Sequence, residues 1–414
     1  MKPLGLLLAL RFLGLFIVLP VLSYYALKLP GATPFLAGVA VGAYALAQMF
    51  FQTPIGWLGD RIDKKKILIV GFFLLGIGSL ISAYGSNIYW LILGRFLQGT
   101  GAIGGIILAY IAEVVEEEER AKSFAFVGQF IALSFAISMV AGPLIGGKWG
   151  VDKLFLFTAF LSIVAIGMVL FLIPPTPQIT HHQPNPPLRE MFQNRELLKL
   201  LFTGFMQKGL MTTFFMLVPI LFIQTIGWEK EELWKIYLPA LVVGIFALPL
   251  GAILAEKKGR VKLVFVLSSG AMVGAIGLFA IDSVETMIGA VILFFFGFNL
   301  MEPVLQSFVS KVVKANQKAT ALSLSNTIQY FGIFLGGAVS GYFLKQGLLF
   351  HFLIGLFLIG MVWVTLLVTF RPPIKLRIVK YSSYNSNLME KLKQDSEVYD
   401  FYEKDGVLIV RYLN

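Results

Sequence analysis

Four ionisable residues lie within long apolar segments, where a charged side chain is costly and therefore marks a cavity, a partner or a functional site. They are Arg11, Arg95, Lys208 and Glu302. Glu302 is the only acid among them, so it is the candidate for taking up and releasing a proton. Lys208 and Glu302 each lie about 15 Å from the segment end that adjoins a basic loop, at ~1.5 Å per helical residue. Three interpretations of Glu302 stay open: proton exchange, a permanent ion pair, or a misplaced segment boundary.

Uncharged polar residues form stripes beside these charges. Asn299, Glu302 and Gln306 are spaced by three and four residues, which places them on one face of an otherwise apolar helix. Tyr44 and Gln48 are four residues apart in another segment. Such stripes are typical of cavity-lining helices, although hydrogen bonding between helices explains the second stripe equally well. The predicted cavity residues are Arg11, Tyr44, Gln48, Arg95, Asn299 and Gln306.

The composition excludes most other kinds of chemistry. Of the 414 residues, 57% are apolar and 14% are charged, and the mean hydropathy is +0.81, which is too apolar for a soluble protein. Because there is no cysteine and there are three histidines, we expect no thiol catalysis, no metal site and no cofactor. The sequence also lacks a nucleotide-binding loop of the Walker type, so ATP does not drive the protein directly. We predict a polytopic membrane protein that is not an enzyme.

Apolar runs of about 20 residues can cross a bilayer as helices. The sequence contains twelve such runs, and we predict an all-α architecture of twelve transmembrane helices. The predicted spans are 5–29, 34–60, 66–85, 87–114, 121–147, 152–174, 198–226, 230–256, 261–281, 285–312, 316–344 and 348–371.

Basic residues set the expected orientation in the membrane. They are concentrated in the loops on one side, around Lys64, Arg120, Arg195, Lys258 and Lys314. By the positive-inside rule this side is cytoplasmic, which places both termini in the cytoplasm. The net charge of the chain is +11, and its basic loops then face the anionic lipid of the cytoplasmic leaflet, so we expect no nucleic-acid partner.

A proline-rich segment divides the spans into two sets of six. We predict a first six-helix bundle at residues 1–174, a cytoplasmic linker at 175–197 and a second bundle at 198–371. Two such bundles are typical of transporters whose halves rock about a substrate held between them. The more polar residues 376–414 predict a strand, a helix and a hairpin, which form a small cytoplasmic α/β unit.

The loop after the second span resembles a signature of the major facilitator superfamily. Asp63 stands where the family usually has Gly, and Lys64 stands where it usually has Arg. The resemblance implies a cytoplasmic gate in which Asp60 bridges helix ends near Lys64 and Glu113. The residues of this gate motif are Gly56, Asp60, Arg61, Lys64 and Glu113.

Two further motifs resemble the same family, in the expected spans and order. Arg95, Gln98 and Gly99 match a motif of the fourth span. In the fifth span, a stripe of small residues resembles the motif typical of proton-driven antiporters, with Ser138 in place of the usual first Gly. The stripe also predicts close helix packing, with a kink at its proline. Its remaining members are Gly142, Pro143, Gly146 and Gly147.

A narrower resemblance is to the YajR-type antiporters of bacteria, which carry a cytoplasmic ferredoxin-like domain. It rests on the first span, on the sequence FNLMEP around Glu302, and on the tail, which is shorter than a full ferredoxin-like fold. The family fold implies that the seventh and tenth helices line the central cavity, where Lys208 and Glu302 can meet. The resemblance implies proton-coupled efflux, whereas the first span lacks the acid that many drug antiporters of the family carry there.

We therefore expect a secondary transporter of the bacterial cytoplasmic (inner) membrane that exports small hydrophobic or amphipathic compounds by alternating access. Its expected partners are the small-molecule substrate, protons and the lipid bilayer, and we expect a monomer; the sequence identifies no partner of the tail. A facilitator or importer on the same fold is one alternative. A membrane sensor that signals through its α/β tail is another.

Overall fold

The computed structural model of the protein describes residues 2–59, 62–114, 117–173, 188–281, 283–314, 317–372, 376–381, 392, 398–404 and 407–413. The helices of its first half are α1 (Lys2–Phe16), α2 (Leu19–Leu27), α3 (Pro34–Gly59), α4 (Lys64–Tyr84), α5 (Ile88–Thr100), α6 (Ile103–Val114), α7 (Glu117–Trp149) and α8 (Val151–Leu172). A short helix, α9 (Leu188–Gln193), precedes the second half. The helices of the second half are α10 (Arg195–Ile220), α11 (Trp234–Ala252), α12 (Val261–Phe279), α13 (Val284–Lys311), α14 (Lys318–Lys345) and α15 (Leu349–Val368).

The described residues include twelve helical segments that are long and apolar enough to cross a membrane, which confirms the predicted number of spans. The first span consists of α1 and α2, and the fourth consists of α5 and α6. Their breaks have local causes. In a regular helix the ring of Pro20 would clash with the carbonyl group four residues earlier, and α1 ends at that residue, Phe16. Ala102, between α5 and α6, has a φ of 40°.

The second half begins earlier than the sequence predicted. Helix α9 lies inside the segment expected to be a linker, and α10 begins at Arg195 rather than at residue 198. Asn194 explains this start, because its side-chain oxygen accepts hydrogen bonds from the backbone N–H groups of Glu196 and Leu197, each at 3.1 Å. Its amide nitrogen also donates to the carbonyl of Val312 at 2.8 Å, which ties the helix start to the end of α13.

The two halves meet most closely where α3 crosses α14. A Cβ atom at Gly38 would clash with the carbonyl oxygen of Gly337, and a Cβ at Gly341 would clash with the carbonyl of Pro34. Glycine therefore allows the two backbones to touch at this crossing. Ser23 of α2 also donates a hydrogen bond to the carbonyl of Phe215 in α10, at 3.2 Å. These contacts lie in the part of the molecule opposite the basic loops, and they hold that end of the two halves together.

Three strands follow the last helix: β1 (Leu376–Tyr381), β2 (Val398–Lys404) and β3 (Val407–Leu413). They form an antiparallel sheet in the order β1-β3-β2, in which Val379 and Phe401 both pair with Val410. Leu408 and Val410 are buried. The helix predicted between β1 and β2 falls outside the described residues, apart from Leu392, so the complete α/β unit stays a prediction.

Candidate functional site

Lys208 of α10 and Glu302 of α13 form an ion pair in the interior of the second half. Lys208 Nζ lies 2.7 Å from Glu302 Oε1 and 2.9 Å from Oε2. Gln207 Nε2 donates to the same carboxylate at 3.0 Å and to the carbonyl of Phe298 at 3.1 Å. The side chain of Glu302 is 40% exposed and that of Lys208 is 15% exposed. The carboxylate thus accepts hydrogen bonds from charged and neutral donors and is still partly exposed.

The other ion pairs among the described residues lie at the ends of helices. They join Asp152 to Lys153, Glu196 to Lys199, Glu232 to Lys235 and Glu256 to Lys311. The Lys208–Glu302 pair is therefore distinguished by its depth. Lys208 Nζ also lies 4.7 Å from the centroid of the Phe298 ring, so an aromatic face covers part of the ammonium group.

The polar stripe predicted on α13 divides among three neighbouring helices. Asn299 packs against Gly244 of α11 and donates to the carbonyl of Phe295 at 2.8 Å. Gln306 instead donates to Asn326 Oδ1 of α14 at 3.2 Å. Because these contacts point to different helices, Asn299 and Gln306 lie beside the ion pair without contributing a hydrogen bond to it among the described contacts.

Arg95 begins a buried hydrogen-bonded chain in the first half. Its Nη1 donates to Gln98 Oε1 at 2.7 Å, and Gln98 Nε2 donates to Ser79 Oγ at 2.8 Å. The guanidinium carbon lies 4.7 Å from the centroid of the Tyr44 ring. Arg95 Nε and Nη2 are also buried, and no hydrogen-bond acceptor for them occurs among the described residues. Two donors of a buried cation are thus left without a protein partner in the described part of the chain.

Arg11 lies next to this chain and reaches the opposite half. Its guanidinium packs so closely on α6 that a Cβ at Gly104 would clash with Nη1, and it lies 5.0 Å from the centroid of the Phe12 ring. The Tyr330 side chain of α14 lies close to this guanidinium. Tyr44, whose ring contacts Arg95, also lies near Arg11 and Tyr330. Gln48 is buried one helical turn from Tyr44.

Part of the predicted gate motif lies outside the described residues, namely Asp60, Arg61 and the side chain of Glu113. Gly56 lies in the exposed end of α3. Lys64 is buried, and its Nζ donates to the carbonyl of Gly59 at 2.8 Å. Asp63 caps α4 by accepting a hydrogen bond from the backbone of Lys65 at 2.9 Å. The departure from the family pattern at Asp63 thus has a structural role.

The antiporter-type motif packs α7 against its neighbours. A Cβ at Gly142 would clash with the carbonyl oxygen of Ile17, so α7 touches the break between α1 and α2 at this glycine. Gly146 lies against Leu154, and Gly147 lies against Glu231 of the opposite half. Pro143 lies inside the helix.

Aromatic side chains line the region between the halves. Phe135 of α7 lies 6.4 Å from Phe215 of α10 and 6.3 Å from Phe295 of α13, measured between ring centroids. Phe16 of α1 joins this group through Phe135 at 5.4 Å. A narrow crevice nearby is lined from both halves by Leu19, Val41, Tyr44, Met211, Thr212, Phe215 and Ile333. The interface therefore combines a charged polar cluster with an apolar aromatic one.

Sequence comparison assigns this architecture to a known class. The profile described as Major Facilitator Superfamily matches residues 4–337, and the chain belongs to this family of transporters, which are not enzymes. The inner membrane transport protein YajR of Escherichia coli (strain K12) is 35% identical over 382 residues, covering 89% of this chain and 83% of that protein. The multidrug resistance protein 2 of Bacillus subtilis (strain 168) is 23% identical over 365 residues, covering 83% and 88% of the two chains.

A solved structure supports the same fold. The crystal structure of a bacterial homolog to the human lysosomal transporter Spinster, in an inward-facing and unoccupied conformation, superposes with a TM-score of 0.69 at 16% identity. The match covers 89% of this chain and 93% of the other. The protein is thus a multi-pass membrane transporter with the major facilitator fold.

Three polar residues of the site were not identified from the sequence. Gln207 precedes Lys208 and donates to Glu302, and Asn326 and Tyr330 of α14 contact Gln306 and Arg11. Their signal was present, since Asn326 and Tyr330 are polar residues four positions apart within an apolar span. No group of three or more potential metal ligands of the His, Cys, Asp or Glu type occurs among the described residues.

Proposed function

We propose that the protein is a proton-coupled efflux transporter of small amphipathic compounds in a bacterial cytoplasmic membrane. The observation that carries this proposal is the ion pair between Lys208 and Glu302, because it is a titratable carboxylate at membrane depth that solvent can reach. Protonation of Glu302 would remove its negative charge and so weaken the ion pair with Lys208. Proton release from Glu302 and substrate binding would then be linked through the movement of the two halves, which is the requirement for antiport.

Both partners of the pair belong to the second half, on α10 and α13. Rocking of the halves as rigid bodies would leave Lys208 and Glu302 together and change the access of water to the carboxylate. Pro303 follows Glu302 directly, and a proline inside a helix removes one backbone hydrogen bond. We propose that bending at this position adds to the change in hydration during the transport cycle.

The contacts between the halves support a state that is closed at the end opposite the basic loops. If both termini are cytoplasmic, as the basic loops predict, the closed end faces away from the cytoplasm, which favours an inward-facing state. The name of the Bacillus subtilis relative, a multidrug resistance protein, favours outward transport of drug-like compounds. The antiporter-type motif at Gly142 and Pro143 favours the same direction.

We further propose two accessory roles. Asp60 would bridge helix ends at the cytoplasmic gate, close to Lys64 and Glu113, and stabilise the outward-open state. The tail at residues 376–414 would complete a small α/β unit that modulates transport. A facilitator without proton coupling is the second candidate, and it is favoured by the three donor contacts that already satisfy Glu302.

Substrate-induced proton movement in proteoliposomes tests the proposal. Vesicles with an internal pH-sensitive dye are screened against a compound library, and the active compounds are then applied to Glu302→Gln. This variant cannot exchange the proton, so we expect it to bind the compounds but to lose proton movement. The matched control is Glu232→Gln, which removes an acid from the exposed Glu232–Lys235 pair and should retain the wild-type signal. Wild-type proton movement in Glu302→Gln would instead support the facilitator or place the coupling acid elsewhere.

A further inference from the structure

Positive charge at membrane depth exceeds negative charge in this transporter. Every acid in residues 1–174 lies at or beyond the end of a predicted span: Asp60, Asp63, Glu113, Glu116, Glu117, Glu118, Glu119 and Asp152. Arg11 and Arg95 therefore have no acid at their own depth within the first half. In the second half, Glu302 is already bound to Lys208 and Gln207. Two guanidinium groups thus have no acidic partner among the residues that the structure describes.

Uncompensated buried cations are costly, and the cost falls when an anion binds them. Arg95 is 0% exposed, and its Nε and Nη2 atoms find no acceptor among the described residues. Its Nη1 is held by Gln98, and its flat face lies against the Tyr44 ring. The guanidinium is therefore held in position, and its Nε and Nη2 donors stay available to a ligand. Such a fork fits the two oxygens of a carboxylate or a phosphate.

Arg11 extends this group toward the other half. Its guanidinium, Tyr44 and Tyr330 lie near one another, and Tyr330 is the partly exposed member of the cluster. Because Tyr330 belongs to α14, an anion held between Arg11 and Tyr330 would contact both halves. Arg95 contacts the same Tyr44 ring and is fully buried.

Apolar surface continues from these cations toward the second half. Arg11 lies over Phe12, Phe12 stacks on Phe16 at 5.2 Å, and Phe16 contacts Phe135. Phe135 in turn reaches Phe215, as described above. A ligand with a negative group at Arg11 and Arg95 would therefore place its apolar part among aromatic rings.

We propose that the central cavity selects amphipathic organic anions, whose carboxylate or phosphate group is held by Arg95, Arg11 and the Tyr330 hydroxyl, and whose apolar part packs on the Phe16–Phe135–Phe215 rings. This proposal rests on the proposed function, because it names the substrate class of the same cavity. It assigns binding to the arginine cluster of the first half and leaves proton exchange to Glu302.

Three probes with the same apolar part and different charge test the proposal. They are 2-naphthoate, 2-naphthalenemethanol and (2-naphthylmethyl)trimethylammonium, and their binding to the full chain in lipid nanodiscs is measured by equilibrium dialysis. We expect the anion to bind at least about tenfold more tightly than the neutral alcohol, because hydrogen bonds to charged groups contribute about 1.5–3 kcal/mol. Equal affinity for the three probes, or preference for the cation, would overturn the proposal.

Substitutions then locate the preference. Arg95→Gln and Arg11→Gln should each remove most of the anion preference without changing the affinity for 2-naphthalenemethanol, and Tyr330→Phe should reduce it by about threefold. Lys148→Gln is the matched control, since it removes a cation next to Trp149 at the far end of α7. An unchanged preference in the arginine variants would overturn the assignment. If Arg95→Gln fails to elute as a monodisperse protein, Arg11→Gln and Tyr330→Phe decide the question.

The same measurements separate this proposal from the proposed function. Equilibrium binding needs no proton gradient, so Glu302→Gln should keep the anion preference even though it loses proton movement. A transporter that moves protons but binds the three probes equally would contradict only the anion site. A transporter that prefers 2-naphthoate but moves no protons would contradict only the coupling scheme.

Discussion

The two halves of the molecule stabilise their intramembrane charge in different ways. In the second half, Lys208 and Glu302 neutralise each other, and Gln207 completes the shell of donors. In the first half, Arg11 and Arg95 are more deeply buried, and their partners among the described residues are neutral: Gln98, the aromatic rings and a tyrosine hydroxyl. The fold repeats a six-helix unit twice, yet among the described residues the intramembrane cations of the second unit have an acidic partner and those of the first do not.

This difference suggests that the two halves perform different tasks in transport. Protonation of the carboxylate leaves the pair with one positive charge, so its protonation depends on hydration and on the distance between the partners, which suits coupling. A cationic cluster without an acid gains most from an external anion, which suits binding. Because the two tasks reside in different halves, relative movement of the halves can connect them without a direct contact between Arg95 and Glu302.

The largest effect on stability is expected when the neutral pair is broken on one side. Glu302→Gln leaves Lys208 as a third uncompensated cation, and we expect a loss of about 2 kcal/mol, less than for a fully buried pair because the carboxylate is partly exposed. The double variant Lys208→Gln with Glu302→Gln should recover most of this loss. Intrinsic tryptophan fluorescence during thermal unfolding in matched detergent measures both. A double variant as unstable as the single one would show that the charges do not compensate each other.

Removal of one cation from the first half should have a smaller effect. Arg95→Met leaves no acid unpaired among the described residues, so the expected loss is about 1 kcal/mol, from the hydrogen bond to Gln98 and the contact with Tyr44. The same unfolding measurement, made without added organic anions, tests this. A loss larger than that of Glu302→Gln would indicate an acidic partner of Arg95 outside the described residues, for which Glu113 is the first candidate.

Much of this architecture could be predicted from the sequence, for physical reasons. The twelve spans follow from hydropathy, because the bilayer allows only long apolar helices. The start of α10 was misplaced because Arg195, Glu196 and Lys199 lower the local hydropathy, although Asn194 is a good N-cap and signals a helix at this point. A hydropathy window does not detect a cap.

The site could be predicted only in part. The distances from the predicted span ends placed Lys208 and Glu302 at the same depth in the membrane, and in the structure the two side chains are in contact. The contact partner of Arg11 could not be derived, because Tyr330 lies more than 300 positions away and its proximity depends on how α14 packs between the halves. The stripe on α13 was interpreted as one face, yet Asn299 and Gln306 contact different helices, since about 10 Å along the helix axis separates them and neighbouring helices cross α13 at different heights.

The smallest effect is expected at Tyr330, which lies in the second half and close to Arg11 of the first-half cluster. Tyr330→Phe removes the hydroxyl that lies within reach of Arg11 and keeps the ring, so the halves should lose about 0.5–1 kcal/mol of mutual attraction. The population that opens at the end opposite the basic loops should rise about two- to fivefold, as follows from about 1.4 kcal/mol per factor of ten.

A cysteine at Ser23 reports this opening, because Ser23 is buried at the closed end and the chain contains no other cysteine. Maleimide labelling of Ser23→Cys should be two- to fivefold faster when Tyr330→Phe is added. Tyr342→Phe is the control, since this tyrosine lies on the same helix and is exposed. If both tyrosine variants accelerate labelling equally, the effect belongs to α14 in general. If neither does, Arg11 is held within the first half alone. The difference in charge compensation between the two halves would then have no effect on how the halves move.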